Sequence, residues 1–154
     1  MGCVYCLCKG LSNDPLRRFL NMPHRQLDHT ADLCFEVTAG SYPELLGEAL
    51  CAMTEWIGPE WKNSAVERPF RIEAPDRVAL LVDLLNEALA LSQIYREAYG
   101  ALSIRSSGEE FIEGAFLGRA ISGARNEIKA VTWHGAKVEQ RADGSWLAIL
   151  LMDI

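Results

Sequence analysis

The sequence predicts an α+β fold: two helices packed on a mainly antiparallel or mixed β-sheet, in a single domain. Three observations carry this prediction. Two stretches, near residues 45–57 and 78–91, repeat apolar residues at helical spacing. Extended segments precede and separate them. The last third is a run of strand-like segments with no helix between, the segregated order of an α+β domain rather than an alternating one.

Residues 33–38, Leu-Cys-Phe-Glu-Val-Thr, favour extended structure, and Ala39-Gly40 breaks them. Ser41 with Glu44 three residues later forms a capping box, and Pro43 falls in the first turn, where a missing N–H costs nothing. Leu45, Leu46, Ala49, Leu50, Met53, Trp56 and Ile57 then make one helical stripe, ended by Gly58-Pro59. Residues 66–74 alternate: Val66, Arg68, Phe70, Ile72 and Ala74 on one side, Glu67, Pro69, Arg71 and Glu73 on the other. Pro69 makes this an edge strand. Asp76 caps a second helix reaching about residue 95. Its apolar arc is wide, adding Leu80, Leu84 and Leu91 to Val78, Leu81, Val82, Leu85 and Leu89, so it is expected to be buried on more than one side. Residues 102–105 and 111–121 read as strands joined at Ser106-Ser107-Gly108. Residues 127–134 form a further strand, and Gly135 is expected to turn the chain. Residues 137–141 and 146–152 pair through a hairpin turn at Ala142-Asp143-Gly144.

The chain has 154 residues, 49% hydrophobic and 23% charged, enough to bury a core without metal or disulfide staples. Its net charge is −6. Lys9, Arg17 and Arg18 against Asp14 leave residues 22–154 at −8. That balance argues against a protein that grips nucleic acid through a basic face. The longest apolar candidate for a membrane span, residues 78–94, is interrupted by Asp83, Asn86 and Glu87. Five cysteines, three of them in the first eight residues, make neither a disulfide framework nor a zinc ligand set. Cys34 and Cys51 lie in apolar segments and read as ordinary buried thiols of a cytoplasmic protein. Residues 1–21 read as an N-terminal extension, disordered or placed before a true start at Met22. Cys6 stands where an acylation signal would carry Ser or Thr, and no secretory apolar stretch is present.

No phosphate-binding glycine loop and no nucleophile elbow occur. Two places stand out. Asp28-His29-Thr30-Ala31-Asp32 precedes the first apolar strand. It reads as a turn with an Asx cap, or as a cluster of oxygen and imidazole ligands. At the other end the last strand finishes in Asp153-Ile154. Asp153 reads as a polar strand end, or as one carboxylate acting with that of Ile154. Adjacent carboxylates repel unless solvated or bridged by a cation, and hard cations prefer such oxygen ligands.

Three separated strings, in order, resemble the archease family: Asp28-His29-Thr30-Ala31-Asp32 before a strand; residues 127–134, Glu-Ile-Lys-Ala-Val-Thr-Trp-His; and Asp143-Gly144-x-Trp146 running to Asp153-Ile154. Residues 80–89 are similar to the family's second helix. The resemblance covers roughly residues 26–154, so residues 22–154 are taken as an archease-like domain.

The resemblance implies a non-catalytic accessory protein of an RtcB-type RNA ligase, acting in tRNA splicing and RNA repair. Such a protein promotes guanylylation of the ligase and so its multiple turnover. It implies a divalent metal, Ca²⁺ by family resemblance with Mg²⁺ or Mn²⁺ as alternatives, held by Asp32, Asp153 and Ile154. Lys129 is implied as a functional residue in contact with partner or nucleotide (the ligase's GTP or GMP), with His29 and His134 as further contacts. The generic reading of these three is a solvated lysine and hydrogen-bonded histidines. No strong direct nucleic-acid binding and no membrane association are expected. Two departures stand out: Gly118 is followed by Arg119 where the family often has glutamate, and Gly123-Ala124-Arg125 occupies the region of an expected histidine. A stand-alone metal-dependent phosphohydrolase and a chaperone-like binding module are the competing readings.

Overall fold

The computed structural model describes residues 3–5, 24–27 and 32–154, the first two stretches as backbone only. The elements, in chain order, are β1 (Cys3–Tyr5), β2 (His24–Leu27), β3 (Asp32–Ala39), α1 (Tyr42–Ile57), β4 (Pro59–Glu73), α2 (Arg77–Tyr95), β5 (Glu97–Ser107), β6 (Phe111–Ala124), β7 (Ala130–Gln140) and β8 (Trp146–Asp153). The α+β prediction holds, with one correction: there are two sheets. One has the order β1-β5-β6-β4, the other β2-β3-β8-β7, and all neighbours are antiparallel. Strand partners are set by contacts far apart in sequence, so the periodicity that marks each strand does not say which sheet it joins.

The helices start and stop as local chemistry dictates. The Ser41 side chain accepts the Glu44 N–H, and the Glu44 carboxylate reaches back to the Gly40 N–H at 3.2 Å. Gly58 ends α1 in the left-handed region with φ 61°. The exposed carbonyls of that end are then satisfied from β6's far side. Arg125 and Asn126 donate their backbone N–H groups to Ile57 O at 3.1 and 3.0 Å, and Asn126 Nδ2 donates to Trp56 O at 2.7 Å. Asp76 Oδ1 accepts the Ala79 N–H at 2.8 Å to open α2.

The wide apolar arc of α2 has its explanation in the two sheets: both helices contact both of them. Leu80, Leu81, Val82, Leu84 and Leu85 are fully buried. By length and composition alone α2 is long and apolar enough to cross a membrane. Here that composition serves the core, where α2 packs on β7 of one sheet and β5 of the other. Phe70, Phe116 and Tyr99 stack across β4, β6 and β5, with successive centroids 4.4 and 5.4 Å apart. Cys34 and Cys51 are buried, and burial pushes the Cys34 thiol up.

Three strands differ clearly from their sequence outlines, the first being β5, which already starts at Glu97 behind α2 and not at residue 102. β4 begins at Pro59, directly after α1, and among the described residues pairs only with β6, which places Pro69 on an edge there. β7 runs unbroken through Gly135, where a turn was expected. Gly135, at φ 69°, sits in a register shift between Thr132 and Lys137, and a Cβ there would stand 2.5 Å from Leu151 Cδ1. A positive-φ glycine serves a bulge as well as a turn, and the sequence alone does not separate the two.

Arg68 shares the inward face with Phe70, and the structure supplies its partner. Its guanidinium donates to both oxygens of Glu97 at 2.9 and 2.7 Å and lies 3.9 Å from the Tyr95 ring centroid. The Tyr99 hydroxyl donates to the same carboxylate at 2.7 Å. Glu97 is only 4% exposed. The Arg68 hydrogen bonds hold its carboxyl below the usual range, against the opposing effect of burial, and the Tyr99 bond adds to them. Burial and the Glu97 carboxylate push the Tyr99 phenol up.

Because the folded-state pKa of Glu97 is depressed, its contribution to stability is complete above the ordinary glutamate value of about 4.3. It is lost as pH falls through the lower folded value. Glu97→Gln should therefore lower unfolding free energy by about 2 kcal/mol at neutral pH, and this deficit should shrink in urea titrations at acid pH. Arg96, at the C-cap of α2, is the single non-glycine residue with positive φ (55°) among the described residues. Arg96→Gly should raise stability by up to about 1 kcal/mol, read as a shift in urea midpoint.

Candidate functional site

Asp32 is the first residue of β3 and Asp153 the last of β8, and the two are register partners. Leu33 and Met152, next to them, are buried, so alternation turns both carboxylates to the exposed face. Directly opposed residues in an antiparallel pair have Cβ atoms about 5 Å apart, and like charges at such positions are destabilising. Among the described residues neither carboxylate forms a salt bridge.

On the other side of β8, Asp153 is register partner to Ala130 of β7. One residue earlier, the Lys129 N–H donates to Asp153 O at 2.8 Å, and its Nζ donates to Ile154 O at 3.1 Å. One of the ammonium's three donors is thus engaged by the main chain of Ile154. Asp32, Asp153, Ile154 and Lys129 are brought together at one end of the β2-β3-β8-β7 sheet. Lys129 is exposed, but Ile128 before it and Val131 after it are each 2% exposed and anchor the segment in the core.

His134 is not in this group. It lies exposed in the β7 bulge, beside Trp133, which is 53% exposed. His29, with residues 28–31, lies outside the described residues. Among the described residues no three His, Cys, Asp or Glu side chains gather as a metal site. A cation here would take its side-chain ligands from Asp32 and Asp153 and the rest from main-chain oxygen at Ile154 or from solvent. That donor set is oxygen only, which suits a hard cation such as Ca²⁺, Mg²⁺ or Mn²⁺.

Asn86 is a residue of this region that sequence reasoning missed. From α2 its Oδ1 accepts the Val131 N–H and its Nδ2 donates to the Val131 carbonyl, both at 2.9 Å. The only hint in the sequence is a polar side chain within a wide apolar arc. The two family departures also have places. Arg119 is exposed on β6, opposite Ala65 and Ala98. Arg125 caps α1, its guanidinium so close over Gly58 that a Cβ at that glycine would stand 2.4 Å from Nε.

The archease protein family (MTH1598/TM1083) model matches residues 24–154. The archease of Methanopyrus kandleri is 32% identical over 142 residues, covering 86% of this chain and all of that protein. The archease of Methanosarcina barkeri is 30% identical, covering 85% of this chain and 95% of its own. Among solved structures, a Thermotoga maritima crystal structure described as an archease, possible chaperone, superposes with a TM-score of 0.63 at 26% identity. It covers 84% of this chain and 96% of that one. The solution structure of Methanobacterium thermoautotrophicum protein 1598 gives a TM-score of 0.67 at 25% identity, with 87% and 100% covered. With its family motifs in order and this fold around them, the chain belongs to the archease family.

Proposed function

We propose that this archease is a non-catalytic activator of an RtcB-type RNA ligase in tRNA splicing and RNA repair. In this reading it works in the cytoplasm, promotes guanylylation of the ligase, and so allows multiple turnover. Asp32, Asp153 and Ile154 hold a divalent cation, Ca²⁺ by preference. The observation that supports this most is the cross-strand opposition of Asp32 and Asp153, with no ion pair among the described residues to relieve it. A fold that keeps two carboxylates face to face gains when a cation bridges them. A bound cation would neutralise that pair and offer open positions to phosphate oxygens of the ligase's GTP or GMP. Lys129 sets a positive group at the same strand end, held toward Ile154. His134 in the bulge, and His29, are further contacts for the partner in this proposal.

The test is ligation by the cognate ligase under multiple-turnover conditions. The wild-type chain should convert a single round into many. Asp32→Ala, Asp153→Ala and Lys129→Ala should each cut that stimulation by about tenfold or more, the scale of damage to a metal site's supporting groups. Absence of any gain in guanylylated ligase across metal and GTP concentrations would refute the reading. Phosphoester turnover by the isolated chain, lost in Asp153→Ala, would favour an enzyme. Protection of unrelated clients from aggregation, unaffected by Asp32→Ala, would favour a chaperone.

The cation component has its own test in thermal unfolding. In chelator, Asp32→Asn should raise the wild-type melting temperature, because it removes a like-charge pair. With excess Ca²⁺ the order should reverse, because only the wild type gains the full binding free energy. A wild-type melting temperature indifferent to Ca²⁺, Mg²⁺ and Mn²⁺ would rule the cation out.

A further inference from the structure

The inward edge of β7 poses a problem that the pairing with β8 does not solve. Between Lys129 and the bulge, β7 and β8 are in register over Ala130, Val131 and Thr132 alone, before the shift to Lys137. A three-residue ladder at the edge of a sheet is weak support for the segment that carries Lys129. The main-chain N–H and carbonyl of Val131 would also be left unpaired in a part-buried place, at a cost comparable to a lost hydrogen bond each.

We infer that Asn86 is a positioning residue for Lys129, clamping Val131 from α2 so that the lysine is held against the end of β8. The side-chain amide does what a further strand would do: it accepts the Val131 N–H and donates to the Val131 carbonyl, each at 2.9 Å. Both amide atoms are engaged with complementary groups, so the orientation of the amide is fixed. Val131 is thereby gripped on one side by α2 and on the other by β8, opposite Met152. Two residues back, Lys129 lies between Ile128, buried in the core, and this clamped point. Its N–H meets Asp153 O and its Nζ meets Ile154 O. A long helix buried on several sides gives the amide a rigid base, since Leu84, Leu85, Ala88 and Leu89 flank it in the core. The functional weight of this role rests on the proposed ligase activation; the clamp itself rests on the geometry.

The experiment uses the full chain and Asn86→Asp. That change keeps the side chain's size and its acceptor for the Val131 N–H but turns the donor into an oxygen facing the Val131 carbonyl. Amide hydrogen exchange read by NMR should show the Lys129 amide exchanging at least about tenfold faster, with Leu46 in α1 and Phe116 in β6 within about threefold of wild type. Unchanged protection at Lys129, or equal acceleration everywhere, overturns the inference. If Asn86→Asp does not fold, Asn86→Ser is read in the same way. In the ligase turnover assay, Asn86→Asp should lower the stimulation and should add no further loss to Lys129→Ala; additive losses overturn the positioning role. A wild-type chain that stimulates no ligase would count against the proposed function only, and the exchange at Lys129 would still decide the clamp.

Discussion

Eight residues of β3, Asp32 to Ala39, pair one for one with β8, and no bulge interrupts them. Leu33, Phe35 and Val37 on one strand, with Met152, Leu150 and Ala148 opposite, face the core. A slip of β3 by one residue would expose Leu33, Phe35 and Val37 and turn Asp32 and Glu36 toward the core. The hydrophobic face therefore fixes where the two aspartates stand, and their repulsion is carried by apolar burial elsewhere on the same strands. β8, with β3 on one side and β7 on the other, is the element through which Asp32, Asp153, Lys129 and Ile154 meet. Asn86 extends this support outward, tying the far edge of β7 to the helix that fills the core.

Legibility of the fold followed the range of the interaction. α1 could be read almost residue by residue, because Ser41, Glu44, Pro43 and Gly58 act within one turn of their own positions. The alternation from Val66 to Glu73 was equally local. The division into two sheets was not, since it depends on which strands meet across the chain. Gly135 was misread because left-handed backbone serves either a bulge or a turn, and only Leu151 on the neighbouring strand distinguishes them. Arg68 was placed on the correct face, but Glu97, twenty-nine residues away, had to be brought to it by β6.

The candidate site has a different history. Residue chemistry at Asp28 to Asp32 favours a turn with an Asx cap, and Asp153 alone is an unremarkable strand end. Both places already stood out with a ligand reading beside the plain one; the resemblance to archeases favoured the ligand reading, and the register between β3 and β8 makes the two aspartates neighbours. The departure at Arg125 takes a structural place: residues 125 and 126 finish α1 and then lead, three residues on, to Lys129. The helix end and the lysine are thus successive stations of one short segment.

The fifteen-residue strand β4 closes one sheet with a long outer edge. Such an edge is a template on which a second chain can add a strand, the first step toward fibrous association. Pro69 removes one donor from the ladder, and Glu67, Arg71 and Glu73 line the exposed face around it. The register shifts between Glu60, Trp61 and Ala65 distort the upstream half. Proline, charge and distortion on this one strand, an edge among the described residues, make self-templating through it costly.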